Sequence, residues 1–222
     1  MHGARVLVAT GVLATLALSG CSAGSSGLHG PSRQHSGSAV TYVSIDEGSL
    51  TDPRLTWQQL FYRSALPPWA VAYDISDEEF GRTSVAMTEL IKQVTSLRPT
   101  VVTVSLGPLE IANRVSTDTF AAALDRLLAA LRRDGVPTVL VANVIALPIP
   151  GRQQLIAAYN VAIASVTKQQ HDVLVDVHRA LLRVPSGGPI AVFATEGLSP
   201  RAAGLFAATF ASAMKHHPDS RA

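Results

Sequence analysis

The sequence predicts an α/β domain of three layers, α/β/α, with helices on both faces of a parallel sheet. Two observations carry that prediction. Five apolar runs of strand length, Val40–Ile45, Ala70–Tyr73, Val101–Leu106, Val139–Val144 and Val173–Val177, alternate with amphipathic segments of helix length. The runs are continuous rather than alternating, as suits strands buried on both faces. Strand and helix in series imply parallel pairing through right-handed crossovers. Composition agrees: 47% of the 222 residues are hydrophobic, enough for a sizeable core, which excludes a disordered chain.

The chain divides into three parts. Residues 1–20 read as a secretory signal: Arg5 is followed by the apolar stretch Val6–Leu18, too short to span a bilayer comfortably. Residues 21–38 are Cys21 and a Ser/Gly-rich segment too poor in apolar residues to fold, read as a tether. Residues 39–222 form the domain. Leu18-Ser19-Gly20-Cys21 resembles the lipobox of bacterial lipoproteins, whose Cys becomes the acylated first residue. The only Cys of the chain sits there. That implies an extracytoplasmic protein anchored to the cell membrane through lipid on Cys21. A lone Cys also leaves no disulfide framework and no cysteine-based metal site.

The helices justify themselves in order. Trp57, Leu60 and Phe61 share helical spacing and read as core. Phe120, Leu124, Leu127, Leu128 and Leu131 form a stripe with Ser116 as N-cap, Asp118 in the first turn, and Gly135 and Pro137 beyond the end. Leu155, Tyr159, Ala162, Ile163 and Val166 form another. The last helix opens at Ser199-Pro200, a cap followed by Pro at the first helical position. It shows Leu205, Phe206, Phe210 and Met214 on one side.

Charge narrows the partners. The 18 basic and 16 acidic residues nearly balance, and no Lys/Arg run exceeds two, so no nucleic-acid footprint is expected. No cofactor or metal is expected either. His29 and His35 read as solvated tether residues, and His216 and His217 as surface residues at a helix end. The acids Asp46, Glu47, Asp52, Asp74, Asp77, Glu78 and Glu79 lie after the first two strands. They read as a solvated loop rim, with an acidic cleft for a cation, amine or sugar as the other reading. Trp69, after Pro67-Pro68, reads as plain packing, with a ligand groove as the other reading.

In such folds ligands bind beyond the carboxyl ends of the strands. The residues there are Asp46-Glu47-Gly48-Ser49-Leu50, Gly81-Arg82-Thr83-Ser84, Gly107-Pro108-Leu109-Glu110 and Glu196-Gly197-Leu198-Ser199-Pro200. In order and spacing this series resembles the SGNH (GDSL-type) hydrolases over about residues 40–216. The resemblance implies a flavodoxin-like sheet and hydrolysis of esters of lipids, acylated sugars and similar substrates.

Carried over position by position, the resemblance makes Ser49 the candidate nucleophile, on a turn altered by one extra residue. Gly81 and Gly107 become candidate oxyanion donors through their backbone N–H groups. The family's Asn and Asp of the third block are replaced by Leu109 and Glu110. Its Asp and His of the last block are replaced by Glu196 and Ser199. A Ser hydroxyl is a weak nucleophile without an adjacent base, and Ser199 cannot act as one. His178, directly after the fifth apolar run with Asp176 two residues before it, is the candidate compensating base. The packing positions remain while the chemical ones change. The expectation is a catalytically impaired hydrolase homologue that binds an envelope lipid, an acylated sugar or other glycan, or a protein partner. The alternative is a divergent serine esterase or acyl transferase using Ser49.

Overall fold

A computed structural model describes residues 40–47, 56–76, 84–147, 150–183, 193–194 and 197–216. Ser49, Gly81, Glu196, Cys21 and the segments 1–20 and 21–38 lie outside them, as do Asp52, Asp77, Glu78, Glu79, His29, His35 and His217. Five parallel strands form one sheet in the order β2-β1-β3-β4-β5. They are β1 Thr41–Asp46, β2 Val71–Ser76, β3 Val101–Ser105, β4 Thr138–Ala142 and β5 Val173–Val175. The helices are α1 Trp57–Ala65, α2 Ser84–Ser96, α3 Pro108–Ala112, α4 Thr117–Arg133, α5 Gln153–Gln169, α6 Val177–Leu182 and α7 Pro200–His216. A short antiparallel pair, β6 Phe193–Ala194 and β7 Gly197–Leu198, precedes α7. The predicted three-layer α/β class is the observed one.

Burial follows position in the sheet. Every residue of β3 and β4 is buried, and all of β1 after Thr41. The edge strands leave Val71 and Leu174 exposed. Ser116 caps α4 as read from sequence, its Oγ accepting from the Thr119 N–H at 3.1 Å. Trp57 and Phe61 are buried against α7, with Trp57 stacked on Phe210 at 4.8 Å and Phe61 edge-on to the same ring. Among the described residues no helix is long and apolar enough to cross a membrane.

Two expectations need correction. Asp46 and Glu47 are not part of a solvated rim: both are buried. Each carboxylate meets hydrogen-bond donors there: the Gln58 amide for Asp46, and the Gly107 and Leu109 N–H groups for Glu47. Trp69 is not buried: it is 54% exposed, next to the edge strand β2.

Candidate functional site

The strand order reverses direction at β1, where the chain first moves out to β2 and then returns to β3. That is the switch point at which this architecture opens a crevice beyond the carboxyl ends of the strands. Glu47 leaves β1 there, and Gly107 to Glu110 leave β3.

Gly107 is the N-cap of α3 but offers no side chain to cap it. Its φ of +127° is a conformation that L side chains rarely adopt. A Cβ would also lie 2.5 Å from Val144 Cγ2, so glycine is required on both counts. The capping is supplied from β1. The Glu47 carboxylate accepts from the Gly107 N–H with one oxygen, and from the Leu109 N–H with the other at 2.6 Å. Asp46 beside it accepts from the side-chain amide of Gln58, a buried residue of α1. The first strand is thus bound to the third crossover and the first helix through consecutive acids.

Glu110 is also buried, and its carboxyl meets that of Glu47. Burial is the main force pushing the Glu47 carboxyl well above the ordinary glutamate range. Hydrogen bonding with Glu110 and its like charge act in the same sense, and the two backbone N–H groups oppose them only in part. A pair of this kind keeps a proton between its members where isolated glutamates would have lost theirs. Tyr159 closes the inner wall, its hydroxyl donating to the Val115 carbonyl at 2.7 Å and its ring 4.7 Å from that of Phe120. Burial, with Glu110 and Glu47 nearby, raises its phenol.

The candidate oxyanion donor Gly107 therefore has its N–H engaged by Glu47. Leu109, at the amide position of the third block, presents an aliphatic side chain. Ser199 caps α7, its Oγ accepting from the Ala202 N–H at 3.3 Å. His178 sits in the first turn of α6, after Asp176, whose side chain caps that helix. Its backbone N–H donates to Asn143 Oδ1 at 2.9 Å, and its ring Nδ1 lies 2.9 Å from the Val144 carbonyl. A carbonyl can only accept, so Nδ1 carries the proton in that bond. The end of β5 is three strand spacings, roughly 14 Å, from the end of β1. The bond to Val144 turns the ring toward β4.

Two groupings were missed from sequence. The carboxyl pair joins Glu47 and Glu110, each seen singly; the signal was an acid after the first strand and another after the third, which this strand order makes neighbours. The second is an amide network at β4. Asn160 accepts from the Val144 N–H and donates to its carbonyl, at 2.7 and 3.0 Å. Asn143 donates to Asp176 at 2.8 Å. No sequence pattern announced it. Among the described residues no group of three or more His, Cys, Asp or Glu is placed to hold a metal ion.

A family model places the chain in a known class. The GDSL-like lipase/acylhydrolase family matches residues 44–204, and the chain belongs to that family. Its fold is shared with solved structures of low sequence identity. An acetylxylan esterase, Axe2, from Geobacillus stearothermophilus superposes with a TM-score of 0.64 at 14% identity, covering 80% of this chain and 94% of that one. LAE5, an α/β hydrolase enzyme from the metagenome of Lake Arreo, gives 0.63 at 16%, covering 79% and 96%. A protein of the G-D-S-L family from Desulfitobacterium hafniense gives 0.60 at 14%, covering 78% and 99%. A search of curated proteins finds no match.

Proposed function

We propose that this chain is a lipid-anchored extracytoplasmic member of the GDSL family whose hydrolase site is impaired, and that it acts by binding. The ligand is an envelope lipid, an acylated sugar or another glycan, or a partner protein. One observation carries the reading: the carboxylate of Glu47 occupies the Gly107 and Leu109 N–H groups at the switch point. An oxyanion needs donors aimed at developing charge, and the loss of one costs about 10²–10³ in rate. The Leu109 side chain adds no donor, and Ser199, at the family's general-base position, is a helix cap. Acylation of Cys21 would hold the protein on the membrane, each buried CH₂ contributing about 0.8 kcal/mol.

The alternative, an esterase or acyl transferase using Ser49, draws on one observation. With Nδ1 donating to Val144, the other ring nitrogen of His178 is the basic one in the neutral ring. The roughly 14 Å between the ends of β1 and β5 weighs against it.

The test is hydrolysis of p-nitrophenyl esters and of acetylated xylo-oligosaccharides, the latter chosen because a structural neighbour is an acetylxylan esterase. The protein is the mature chain with Cys21→Ser, measured beside the same chain with Ser49→Ala. The expected result is no difference between the two. Turnover that vanishes with Ser49→Ala overturns the impaired-site reading. Its further loss with His178→Ala would identify the base.

A further inference from the structure

The two ends of the sheet differ in charge. The crossovers bring the C-termini of α1, α2, α4 and α5 to the end where the strands begin, each at most five residues from the next strand. Helix α7 runs the same way, because Trp57 contacts Phe206 and Phe210 while Phe61, a turn further along α1, contacts Phe210. The exposed cations Arg63, Arg98, Arg133, Lys168 and Lys215 therefore gather at that end. Of the acids described there, Asp134 is exposed, and Asp172 is held by Arg132 at 2.5 Å. Among the described residues the opposite end mixes signs: the exposed Arg114, Arg179 and Arg201 stand among the exposed Asp118 and Asp176.

Helix dipoles alone favour cations at helix C-termini. They do not account for Trp69, 54% exposed, or Val71, 50% exposed, beside them. An indole that is half in water is suited to the boundary between lipid headgroups and acyl chains. The same end receives the N-terminal segment: the Val71 N–H donates to the Val40 carbonyl at 2.9 Å, so the chain enters the domain next to Trp69. Nineteen residues run from Cys21 to the one before Val40.

We propose that the end of the sheet where the strands begin is a membrane-docking face. Trp69 and the cations Arg63, Arg98, Arg133, Lys168 and Lys215 rest there on an anionic phospholipid surface. Docking turns the Glu47–Glu110 crevice away from the bilayer, so its ligand arrives from the outer side. The inference takes the orientation of the face from the reading of Cys21 as the anchor, but the face is testable without the lipid.

The experiment uses the mature chain with Cys21→Ser. Its sedimentation is measured with vesicles of phosphatidylcholine alone, and of phosphatidylcholine mixed with phosphatidylglycerol. Expected is association with the anionic vesicles only, weakened by salt, with each of Arg133→Gln and Lys168→Gln lowering affinity about fivefold. Trp emission should shift to the blue on binding. Trp69→Ser should remove the shift, because Trp57 is already buried. Circular dichroism checks that these surface variants stay folded. No association with anionic vesicles, equal association with neutral ones, or affinity unchanged by the charge variants overturns the proposal. The anchor is read separately, from the mass of wild-type protein extracted from membranes. An unmodified Cys21 with vesicle binding retained would sink the anchor and leave the face standing.

Discussion

The crevice at the ends of β1 and β3 and the network at the ends of β4 and β5 solve the same problem in opposite ways. Each must satisfy backbone groups where a strand stops and the next helix has begun. At β4, Asn160 serves both the N–H and the carbonyl of Val144, and Asn143 links Asp176 to the His178 backbone. Neutral amides satisfy the backbone there at no cost in buried charge. At β1 the donors are satisfied by Glu47, a buried acid that touches a second buried acid. The difference teaches where a ligand or a proton could matter: the β4 network is a joint, whereas the β1 crevice stores an electrostatic conflict.

The largest effect expected from that contrast is on stability. Glu47→Ala removes both acceptors from Gly107 and Leu109 and leaves buried N–H groups without partners. Orphaned buried donors cost about 1–3 kcal/mol each, so a loss of about 2–4 kcal/mol is expected in urea unfolding. Glu47→Gln keeps an acceptor and should cost less. A Glu47→Ala variant as stable as wild type would mean that the carboxylate does not cap α3.

The next effect is on pH dependence. The Glu47 carboxyl is raised in the folded state, chiefly by burial and then by Glu110. A raised carboxyl contributes stability fully present below its unfolded value, 4.5, and lost as pH rises through the folded value. Stability should therefore decline as pH climbs above 4.5. Burial also raises Asp172, to about 6 despite Arg132, so it adds a decline of the same sign between 3.8 and 6. Glu110→Gln removes the like charge and leaves Asp172 alone. It should shorten the decline at its upper end, because the like charge is gone while burial remains. A decline unchanged by Glu110→Gln would show that the two acids do not interact.

The sequence made the fold legible because the strands are written twice, as apolar runs and by the helix signals between them. Ser116, Gly135 and Pro137 mark α4 in the text of the chain, and the structure puts α4 where they say. The crevice was half legible. The absence of an Asn at 109 and of a His at 199 could be read directly, and so could Gly107. The engagement of Gly107 could not, because Glu47 and Gly107 are sixty residues apart and meet only through strand order. The same gap hid the burial of Asp46 and Glu47. An acid after a strand is usually solvated, and only the donors that face it decide otherwise. Trp69 failed for the converse reason: an aromatic residue reads as core unless the edge strand beneath it is known.

The smallest effect belongs to the other exit, and its sign is reversed. Burial raises Asp176, but the hydrogen bonds from Asn143 and the Arg179 N–H, with His178 and Arg179 nearby, more than offset it, and its carboxyl lies below the usual value. Such a group contributes stability that is present above its unfolded value, 3.8, and is lost as pH falls through the folded one. The side chain is exposed, so the contribution is small. Asp176→Asn keeps an acceptor for the Arg179 N–H while removing the charge. It should lower the urea midpoint slightly at pH 7 and by less at a pH well below 3.8, where wild type is losing the same term. An equal loss at both pH values would assign the role of Asp176 to capping geometry alone. The β4 exit would then be indifferent to protons, and titration of the crevice end of the sheet would belong to the β1 acids.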